Sequence, residues 1–571
     1  MPSTPTQIST PHYALTVDPA AGQLALALGD GSDPLLISGW PLLLVPQIPG
    51  ASLAPESVAV RSSTTAAGHP RLLLTARLTG SVTAEVTNEI LCLPDRLVCL
   101  SRYEADADHA LAHWHVAPAG SLLRGDAVYV YNGDAGQREN GQTLPLTGPV
   151  ELTTASRNWL YNPMAPRVLL RCGYYTLALG GTTLAQDFGL ELSTTGPRVE
   201  HFRFNYGGEA EPLPVAAHTP QPGPRLQIQV TLNLTPDQAQ AAFTQAMVDD
   251  GIITPRRYRP EEQAWRRPWY CTWGDQVSLA AGDSAPNRNA PADPTAVQAM
   301  LTPDLLLRAA RLIREQDLNI GTLIIDDGWQ DYRGDWNLRT DKFPDMRGLV
   351  ETLHDLDFRV MLWWAPLVVE EGAAVNHRPD LVAGPLNRGQ MVINYTSPAT
   401  QAWVRAKLEL WFGTAPGCWH LDGLKLDFLA EQIYPVAGGD PEWRGEERQM
   451  HHIWALAHGV MSKYHPAPAI WTAPHSPHLL PYMIALGTEE RFDRDMSFLT
   501  PRPAMQQALC PGAWFSPHFN YHPDAIEAFC NQCWALGGLP QIGKLLTPEV
   551  TPDHLARLRQ QLSRWPSPGG C

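Results

Sequence analysis

The chain has 571 residues, with 42 Lys and Arg against 58 Asp and Glu, and a formal net charge of −16. Nucleic-acid backbones and anionic membranes attract basic surfaces, so this charge argues against either as a partner. Hydrophobic residues make up 44% and charged residues 18%, which is typical of a globular protein and excludes a disordered one. The length fits two large domains, because a (β/α)8 barrel alone takes about 250 residues.

The amino-terminal residues lack the basic and apolar regions of a secretory signal, and no run is long and apolar enough to span a membrane. We therefore expect a cytoplasmic protein with reduced thiols. The nine cysteines are scattered, and Cys530 and Cys533 form a C-x-x-C pair with neither a second pair nor a histidine cluster nearby. The sequence predicts no metal site and no cofactor.

Tryptophan is frequent, with 19 residues. An indole ring stacks on the apolar face of a sugar and offers an N–H donor, so the excess is a weak indication of a carbohydrate ligand. Large hydrophobic side chains in the core of a large protein explain it equally well. Composition leaves both interpretations open.

The first part of the chain reads as short β-like runs separated by Gly, Pro, Asp and Asn. These runs are 24–28, 72–78, 86–93, 97–103, 168–178 and 226–232. Such a pattern, with little helical periodicity, predicts an all-β sandwich over residues 1–235. A helical stretch at 236–249 and a polar segment after it form a predicted connector over 236–264.

From residue 265 to 571, strand-like and helix-like runs alternate. The predicted strands are 269–273, 322–325, 359–364, 423–426, 469–472, 491–495, 512–516 and 539–544, and the predicted helices are 305–315, 400–411, 446–463, 478–484 and 554–563. Several helices follow a Ser-Pro or Thr-Pro pair, which is a typical N-cap and first-turn combination. Eight strands with intervening helical or long segments predict a (β/α)8 barrel, so the fold class is a β-sandwich followed by a TIM barrel.

Acidic residues lie at the carboxyl ends of the predicted second, fourth and sixth strands of this barrel, where barrel enzymes carry their chemistry. They are Asp326 and Asp327, Asp427, and Asp493 with Asp495. Paired carboxylates without a His or Cys metal set are typical of glycoside hydrolysis, in which one carboxylate attacks the sugar and another protonates the leaving oxygen.

Lys425 precedes Asp427 by two residues, so both side chains should lie on the same face of the strand. A nearby ammonium would keep Asp427 ionised, as a nucleophile requires; the alternative is a structural ion pair inside the barrel. Asp326 and Asp327 are adjacent and cannot share a strand face, but on a turn both could accept hydrogen bonds from sugar hydroxyls. A helix-capping or loop-closing role fits their spacing equally well.

Several motifs in order resemble the barrel of glycoside hydrolase family 36, the α-galactosidases and raffinose-synthase relatives. They are Ile324-Ile325-Asp326-Asp327-Gly328-Trp329-Gln330, Gly334-Asp335-Trp336, Lys342-Phe343-Pro344-Asp345-Met346, residues 360–366, residues 387–394 and Leu424-Lys425-Leu426-Asp427-Phe428. The match extends over about residues 265 to 545. The amino-terminal region fits the family's sandwich in class and not by motif.

The resemblance implies a role for each matching residue. Asp427 would be the nucleophile of a retaining mechanism. The residues that would bind or line the pocket of the terminal sugar are Asp326, Asp327, Lys425, Trp273, Trp363 and Arg388, with His475 following the fifth strand.

The acid/base departs from the family pattern. The family's Cys-Ser-Gly-Gly stretch after the fifth strand and its Ser-Asp-Asp or Ser-Asp-Asn after the sixth do not occur here. Arg491-x-x-x-Asp495 resembles an arrangement at the sixth strand of related barrels, which favours Asp495, then Asp493 and then Glu490. A solvated run of charges is the alternative for each.

The leading hypothesis is a retaining, exo-acting α-galactosidase, or another α-glycosidase, whose substrate is an oligosaccharide or glycoside. A raffinose-synthase-like transglycosidase and a catalytically inactive carbohydrate-binding barrel are the alternatives. Family members usually continue into a carboxy-terminal β domain after the barrel, whereas this sequence ends at Cys571, soon after the predicted helix 554–563. We expect the β-sandwich or a second subunit to cover that end of the barrel, which leaves a homo-oligomer open.

Overall fold

A computed structural model gives the structure of the protein. It describes residues 5–29, 35–41, 44–49, 53–111, 113–115, 122–123, 127–130, 142–145, 149–153, 167–183, 188–195, 198–206, 213–281, 293–384, 391–428, 440–443, 446–472, 476–491, 501–519 and 523–566. The chain divides into two compact units, residues 1–254 with 444–448 and residues 255–443 with 449–571. The division after Thr254 falls inside the segment predicted as a connector, 236–264.

The first unit consists of antiparallel sheets. Its strands are β1 (Thr6–Ser9), β2 (Tyr13–Asp18), β3 (Gln23–Leu28), β4 (Leu35–Pro41), β5 (Val45–Gln47), β6 (Ala54–Thr64), β7 (Pro70–Thr79), β8 (Ala84–Cys92), β9 (Arg96–Ala105), β10 (His109–Leu111), β11 (His113–His115), β12 (Leu122–Leu123), β13 (Ala127–Val130), β14 (Gln142–Pro145), β15 (Pro149–Thr153), β16 (Arg167–Cys172), β17 (Tyr175–Gly181), β18 (Phe188–Thr195), β19 (Arg198–Tyr206), β20 (Leu213–Val215) and β21 (Gln221–Leu232).

Two large sheets form the predicted sandwich. One runs β1-β2-β3-β4-β12-β19-β11-β5 with β18 and β15 attached, and the other runs β14-β13-β16-β17-β21-β9-β8-β7-β6. Alternate residues of β7, from Leu72 to Leu78, are buried in one cluster with residues of β2 and β3 from the other sheet. This alternation is the period-two pattern of strands that turn one face to a core.

The predicted run 168–178 is wrong as a single strand, because β16 and β17 form a hairpin across it. Cys172 pairs with Tyr175, so Gly173 and Tyr174 make a two-residue turn. Gly173 has a φ of +55°, which glycine adopts without a Cβ clash. Apolar residues occur on both sides of this turn, so the sequence reads as one β-like run.

Helix α1 (Pro236–Asp249) occupies the predicted range. Thr235 Oγ1 caps it by accepting a hydrogen bond from the backbone N–H of Gln238 at 3.3 Å, and Thr235 N donates to Gln238 Oε1 at 3.0 Å. Its buried Ala239, Phe243 and Met247 are spaced for one helix face, and the helix contacts β16, β17 and β21.

The second unit is built around parallel strands. Its strands are β22 (Trp269–Cys271), β23 (Thr322–Ile325), β24 (Arg359–Trp364), β25 (Val382–Ala383), β26 (Val392–Ile393), β27 (Gly423–Leu426), β28 (Ala469–Thr472), β29 (Ala485–Arg491), β30 (Trp514–Phe519) and β31 (Gln541–Ile542). All but β25 and β26 close into an eight-stranded barrel in chain order. The predicted (β/α)8 barrel is confirmed.

The barrel is surrounded by helices. They are α2 (Trp273–Ala281), α3 (Pro294–Met300), α4 (Pro303–Glu315), α5 (Met346–Asp355), α6 (Pro398–Phe412), α7 (Glu446–Met461), α8 (Pro501–Leu509), α9 (Ile526–Ala535) and α10 (Pro552–Leu562), with 3-10 turns at Pro260–Arg266, Ala374–His377, Pro441–Trp443, Pro477–Leu479 and Pro523–Ala525. The Thr-Pro start signals are confirmed at α4 and α10, where Thr302 and Thr551 accept hydrogen bonds from the first turn. None of the helices in these ranges combines the length and the apolar character needed to cross a membrane.

The sixth barrel strand differs from its predicted position. It is Ala485–Arg491, whereas 491–495 was predicted, and the predicted helix 478–484 is only the 3-10 turn Pro477–Leu479. Met483 and Ile484 are fully buried, and Ile484 N donates to Ile470 O on the fifth strand at 2.8 Å. A short apolar run between loops does not distinguish a strand from a helix, and here barrel closure decides.

A cluster of tryptophans packs where α6 meets the segments that follow β23 and β24. Its members are Trp329, Trp336, Trp364, Trp403, Trp411 and Trp419, with ring centroids 5.0–6.4 Å apart. These rings pack on one another. Packing of large hydrophobic side chains in the core therefore accounts for much of the tryptophan excess.

The seam between the eighth and first strands is joined by a buried carboxyl group. Asp275, near the start of α2, accepts hydrogen bonds from the Tyr270 hydroxyl at 2.7 Å and from Leu545 N and Leu546 N at 3.0–3.1 Å. Burial raises the pKa of Asp275 to about 6, although these donors and Lys544 oppose the increase.

Candidate active site

Asp326 and Asp327 form a buried turn directly after β23, and each is 2% exposed. Asp326 N donates to Thr272 Oγ1 at 3.1 Å, and Asp327 N donates to Asp326 Oδ1 at 2.8 Å. The turn needs Gly328, which has a φ of +117° and on which a Cβ would lie 2.6 Å from Gln298 O. Backbone geometry therefore points the two adjacent carboxylates at different partners.

Asp326 is paired with the strand-borne lysine. Lys425 Nζ lies 2.8 Å from Asp326 Oδ2, and both side chains are almost fully buried. Cys271, at the end of β22, donates its thiol to the same oxygen at 3.0 Å. Among the described residues, the carboxylate in contact with this ammonium is Asp326. The predicted support of Asp427 by the Lys425 ammonium stays a prediction, and the ion pair with Asp326 joins the ends of the second and fourth strands.

Asp327 is held by side chains from the loops around it. Its Oδ1 accepts from Gln330 Nε2 at 2.7 Å, and its Oδ2 accepts from Gln298 Nε2 at 2.9 Å and forms a close ion pair with Arg333. Arg333 also faces Glu370, with its Nη1 3.5 Å from Oε1. Charge and hydrogen bonds fix the orientation of this carboxylate before any ligand binds.

Asp427 follows β27 and extends its hydrogen-bond ladder, since Asp427 N donates to Trp364 O at 3.0 Å. Trp363 Nε1 donates to its Oδ2 and Phe428 N to its Oδ1, both at 2.9 Å. Phe428 has a φ of +51°, a left-handed conformation that is uncommon for a non-glycine residue and accompanies this backbone donation. The carboxylate is thereby held in one orientation at the barrel mouth.

Trp363 lies on a barrel strand, whereas Trp273 lies at the start of a helix. Trp363 lies on β24, is 2% exposed and packs edge-to-face on Phe428 with centroids 5.8 Å apart. Trp273 was predicted to end the first strand, but β22 ends at Cys271 and Trp273 begins α2. Its neighbour Thr272 turns toward the helix through a hydrogen bond to Gln276 Oε1 at 2.7 Å, which explains the early strand end.

Arg388, His475, Asp493 and Asp495 lie outside the described residues. Glu490 lies on β29, and its side chain is outside the description as well. The assignment of the acid/base to the residues after the sixth strand therefore stays a prediction. In the described ranges, no three His, Cys, Asp or Glu side chains come together as a metal site requires.

The residue pattern did not reveal Arg333, Glu370, Gln298 or Cys271 as members of the site. Arg333 lies in the gap between two of the matching motifs, where the presence of a single basic residue was the available signal. Burial lowers its pKa, but the charges of Asp327, Glu370 and Asp427 more than offset this, and the pKa of Arg333 is raised. The arginine therefore stays charged beside three carboxylates.

Cys530 and Cys533 lie on α9 as buried free thiols. Burial raises the pKa of Cys530 to about 12 and that of Cys533 well above its ordinary value. Neither is ionised near neutral pH, and a thiol without thiolate character is a poor nucleophile.

Comparison with known proteins places this geometry among glycoside hydrolases. Residues 300–476, which include Asp326, Asp327, Lys425 and Asp427, match the family model for the Glycosyl hydrolases family 31 TIM-barrel domain. In fold, the chain is similar to the α-galactosidases of glycoside hydrolase family 36. No curated protein matches the chain.

Three solved α-galactosidases show this similarity. A family 36 variant from Geobacillus stearothermophilus in complex with raffinose has a TM-score of 0.62 at 12% identity, over 98% of this chain and 86% of that one. The enzyme from Lactobacillus brevis has a TM-score of 0.59 at 12% identity, over 98% and 83%. The Thermus thermophilus enzyme in complex with stachyose has a TM-score of 0.53 at 15% identity, over 84% and 97%.

The predicted resemblance to family 36 is confirmed at the level of the fold, and the fold class with it. The family model belongs to family 31, so the two comparisons agree on a glycoside hydrolase barrel while naming different families. Both are consistent with the predicted enzyme class.

Proposed function

We propose that the protein is a retaining, exo-acting α-glycosidase that hydrolyses terminal α-galactosides. The observation that carries this proposal is the Asp427 carboxylate, fixed by two 2.9 Å hydrogen bonds at the carboxyl end of the fourth barrel strand. A carboxylate held in this way can attack an anomeric carbon without first reorganising. The solved structures of similar fold that contain raffinose or stachyose support an α-galactoside as substrate.

Asp427 is the proposed nucleophile. Its Oδ oxygen bonds to the anomeric carbon as the glycosidic C–O bond breaks, and the acid/base donates its proton to the departing oxygen. Water then attacks the glycosyl-enzyme ester while the same acid/base, now a carboxylate, removes a proton. Asp495 is the first candidate for this second group, followed by Asp493 and Glu490, because each follows or ends the sixth strand.

The sugar pocket is proposed to include Asp326, Asp327 and Lys425. A carboxylate offers about four acceptor positions, and three protein donors reach each of the two aspartates. About one position on each is left for a sugar hydroxyl. Lys425 Nζ donates to Asp326 Oδ2 at 2.8 Å and lies 3.9 Å from Cys271 Sγ, and the same ammonium is proposed to donate to a sugar hydroxyl. The remaining residues proposed to line the pocket are Trp273, Trp363, Arg388 and His475.

Stereochemistry tests the reaction class. Proton NMR of the first product released from an aryl α-galactoside should show the α-anomer before mutarotation, since two inversions give net retention. A β-anomer appearing first would exclude Asp427 as a nucleophile. No hydrolysis of any aryl α- or β-glycoside would contradict the enzyme itself.

Leaving-group dependence tests the acid/base. Asp495→Ala should slow substrates with a sugar leaving group far more than those with an activated phenol, because a phenolate departs without a proton. Asp493→Ala and Glu490→Ala, at the second and third candidates, are compared on both substrate types, and the variant that shows the leaving-group dependence identifies the acid/base. An equal effect of all three substitutions on both types would contradict the assignment to this segment.

A further inference from the structure

Arg333 joins the loops that follow two neighbouring barrel strands. It stands on the loop after β23, where its guanidinium pairs closely with Asp327. Its backbone N–H donates to Glu370 Oε2 at 2.7 Å, and its Nη1 lies 3.5 Å from Glu370 Oε1 on the loop after β24. The arginine is fixed at both its backbone and its side chain.

The same guanidinium lies against the two residues that hold Asp427. Its central carbon is 5.6 Å from the Trp363 ring centroid and 5.2 Å from the Phe428 ring centroid. Trp363 Nε1 and Phe428 N are the donors to Asp427. The cation therefore packs on the frame that sets the direction of the proposed nucleophile.

The negative charges of the neighbouring carboxylates explain why a cation is needed at the position of Arg333. Lys425, a second cation among the described residues of the site, is engaged with Asp326 at 2.8 Å. Arg333 pairs with Asp327 and lies 3.5 Å from Glu370, and the charge of Asp427 acts on it as well, so carboxylates that follow the second, third and fourth barrel strands all influence it. Without Arg333, three carboxylates would face one another, and like charges favour protonation of at least one of them.

We propose that Arg333 is a positioning residue that keeps Asp427 ionised and oriented, through its charge and through its contact with Trp363 and Phe428. This inference rests on the proposed function, since it assigns Arg333 to the reaction of Asp427. Arg333 acts through other residues and does not itself touch the reacting atoms. Its loss should therefore lower kcat more than it raises KM.

The pH profile of kcat/KM on an aryl α-galactoside tests the inference, because its acid limb reports the essential carboxylate of the free enzyme. Arg333→Gln removes the charge and should move the acid limb up by about one to three pH units. Arg333→Lys keeps the charge and should leave the limb near its wild-type position, even if kcat falls. Arg339→Gln is the matched control, because Arg339 lies on the same loop and pairs with Asp341 at the surface.

Glu370→Gln provides a second test, in which the acid limb should shift in the opposite direction. It removes one carboxylate from the group while its amide oxygen can still accept from Arg333 N, so the acid limb should move to lower pH. This variant keeps the inference testable if Arg333→Gln does not fold. Thermal melting of every variant confirms that folded protein is compared.

An unchanged acid limb in Arg333→Gln would overturn the inference, and so would an equal shift in Arg333→Lys or Arg339→Gln. An inactive wild type would overturn the proposed function instead. In that case, NMR titration of ¹³C-labelled aspartates, with Asp427→Asn to assign the signal, still decides the inference. The titration of Asp427 must move to higher pH in Arg333→Gln, and its failure to move would contradict the role of Arg333.

Discussion

The carboxylates after the second and the fourth barrel strands are stabilised differently. Asp326 and Asp327 are each in direct contact with a cation, Lys425 and Arg333 respectively. The described hydrogen-bond donors of Asp427 are the uncharged Trp363 Nε1 and Phe428 N. A carboxylate that binds hydroxyls keeps its charge throughout, whereas a nucleophile must give up its charge to a new C–O bond. Direct pairing with a cation suits the first task, and uncharged donors suit the second.

Because of this difference, we expect substitutions after the second strand to affect stability and substitutions after the fourth strand to affect catalysis. A buried ion pair leaves an uncompensated charge when one partner is removed, so changes at the second strand should affect folding. Changes at Asp427 should affect turnover with little effect on folding. Three predictions test this contrast and a fourth extends it to the buried Asp275, from the largest expected effect to the smallest.

Asp427→Asn should abolish turnover. The amide cannot form the covalent intermediate, so kcat should fall by about four orders of magnitude or more. The melting temperature should stay close to that of the wild type, because Asn keeps the shape of the side chain and an oxygen for one of the two described donors. Activity within about tenfold of the wild type would remove Asp427 from its role. Azide should restore part of the activity and give the inverted glycosyl azide.

Asp326→Asn should destabilise the fold. Removing the carboxylate charge from the buried pair weakens the compensation of the Lys425 ammonium and should cost about 3–5 kcal/mol in the free energy of unfolding. The double variant with Lys425→Met removes both charges and should recover most of that stability, but not activity. Chemical denaturation of the three proteins measures this. A single variant as stable as the wild type would contradict the ion pair's structural contribution.

Trp363→Phe should reduce kcat by about tenfold to a hundredfold, since a hydrogen bond to a charged group contributes about 1.5–3 kcal/mol. Trp364→Phe is the matched control, because its neighbouring ring is also buried and packs in the tryptophan cluster. Both variants should lose similar stability from the smaller ring. Equal losses of kcat would show that packing, and not the hydrogen bond to Asp427, accounts for the effect.

Asp275→Asn should change the pH dependence of stability. The folded pKa of Asp275, about 6, lies above its ordinary value of 3.8, so its contribution is fully present below pH 3.8 and is lost as pH rises through 6. The wild type should therefore lose stability across this window relative to the variant, by a few degrees in melting temperature. Melting temperatures of the two proteins that change in parallel from pH 4 to pH 7 would contradict this prediction.

Local signals predicted much of the fold. The buried strands Thr322–Ile325, Arg359–Trp364, Gly423–Leu426 and Ala469–Thr472 lie at their predicted positions, because each is a short apolar run bounded by turn or cap residues. The Thr-Pro pairs located helix starts, since capping is decided within one turn. The sixth strand was misplaced because its apolar run is short, and the charged residues after it attracted the prediction.

The sequence by itself determined that carboxylates follow the second and fourth strands of a barrel, because apolar runs and their boundaries are local features. The tertiary structure decided which charges pair. Lys425 contacts Asp326, and Arg333 lies among three carboxylates. These contacts join residues from different strands and loops, and their distances depend on how the barrel closes. Spacing along one strand fixes the face on which a side chain lies, but not the partner it meets across the barrel.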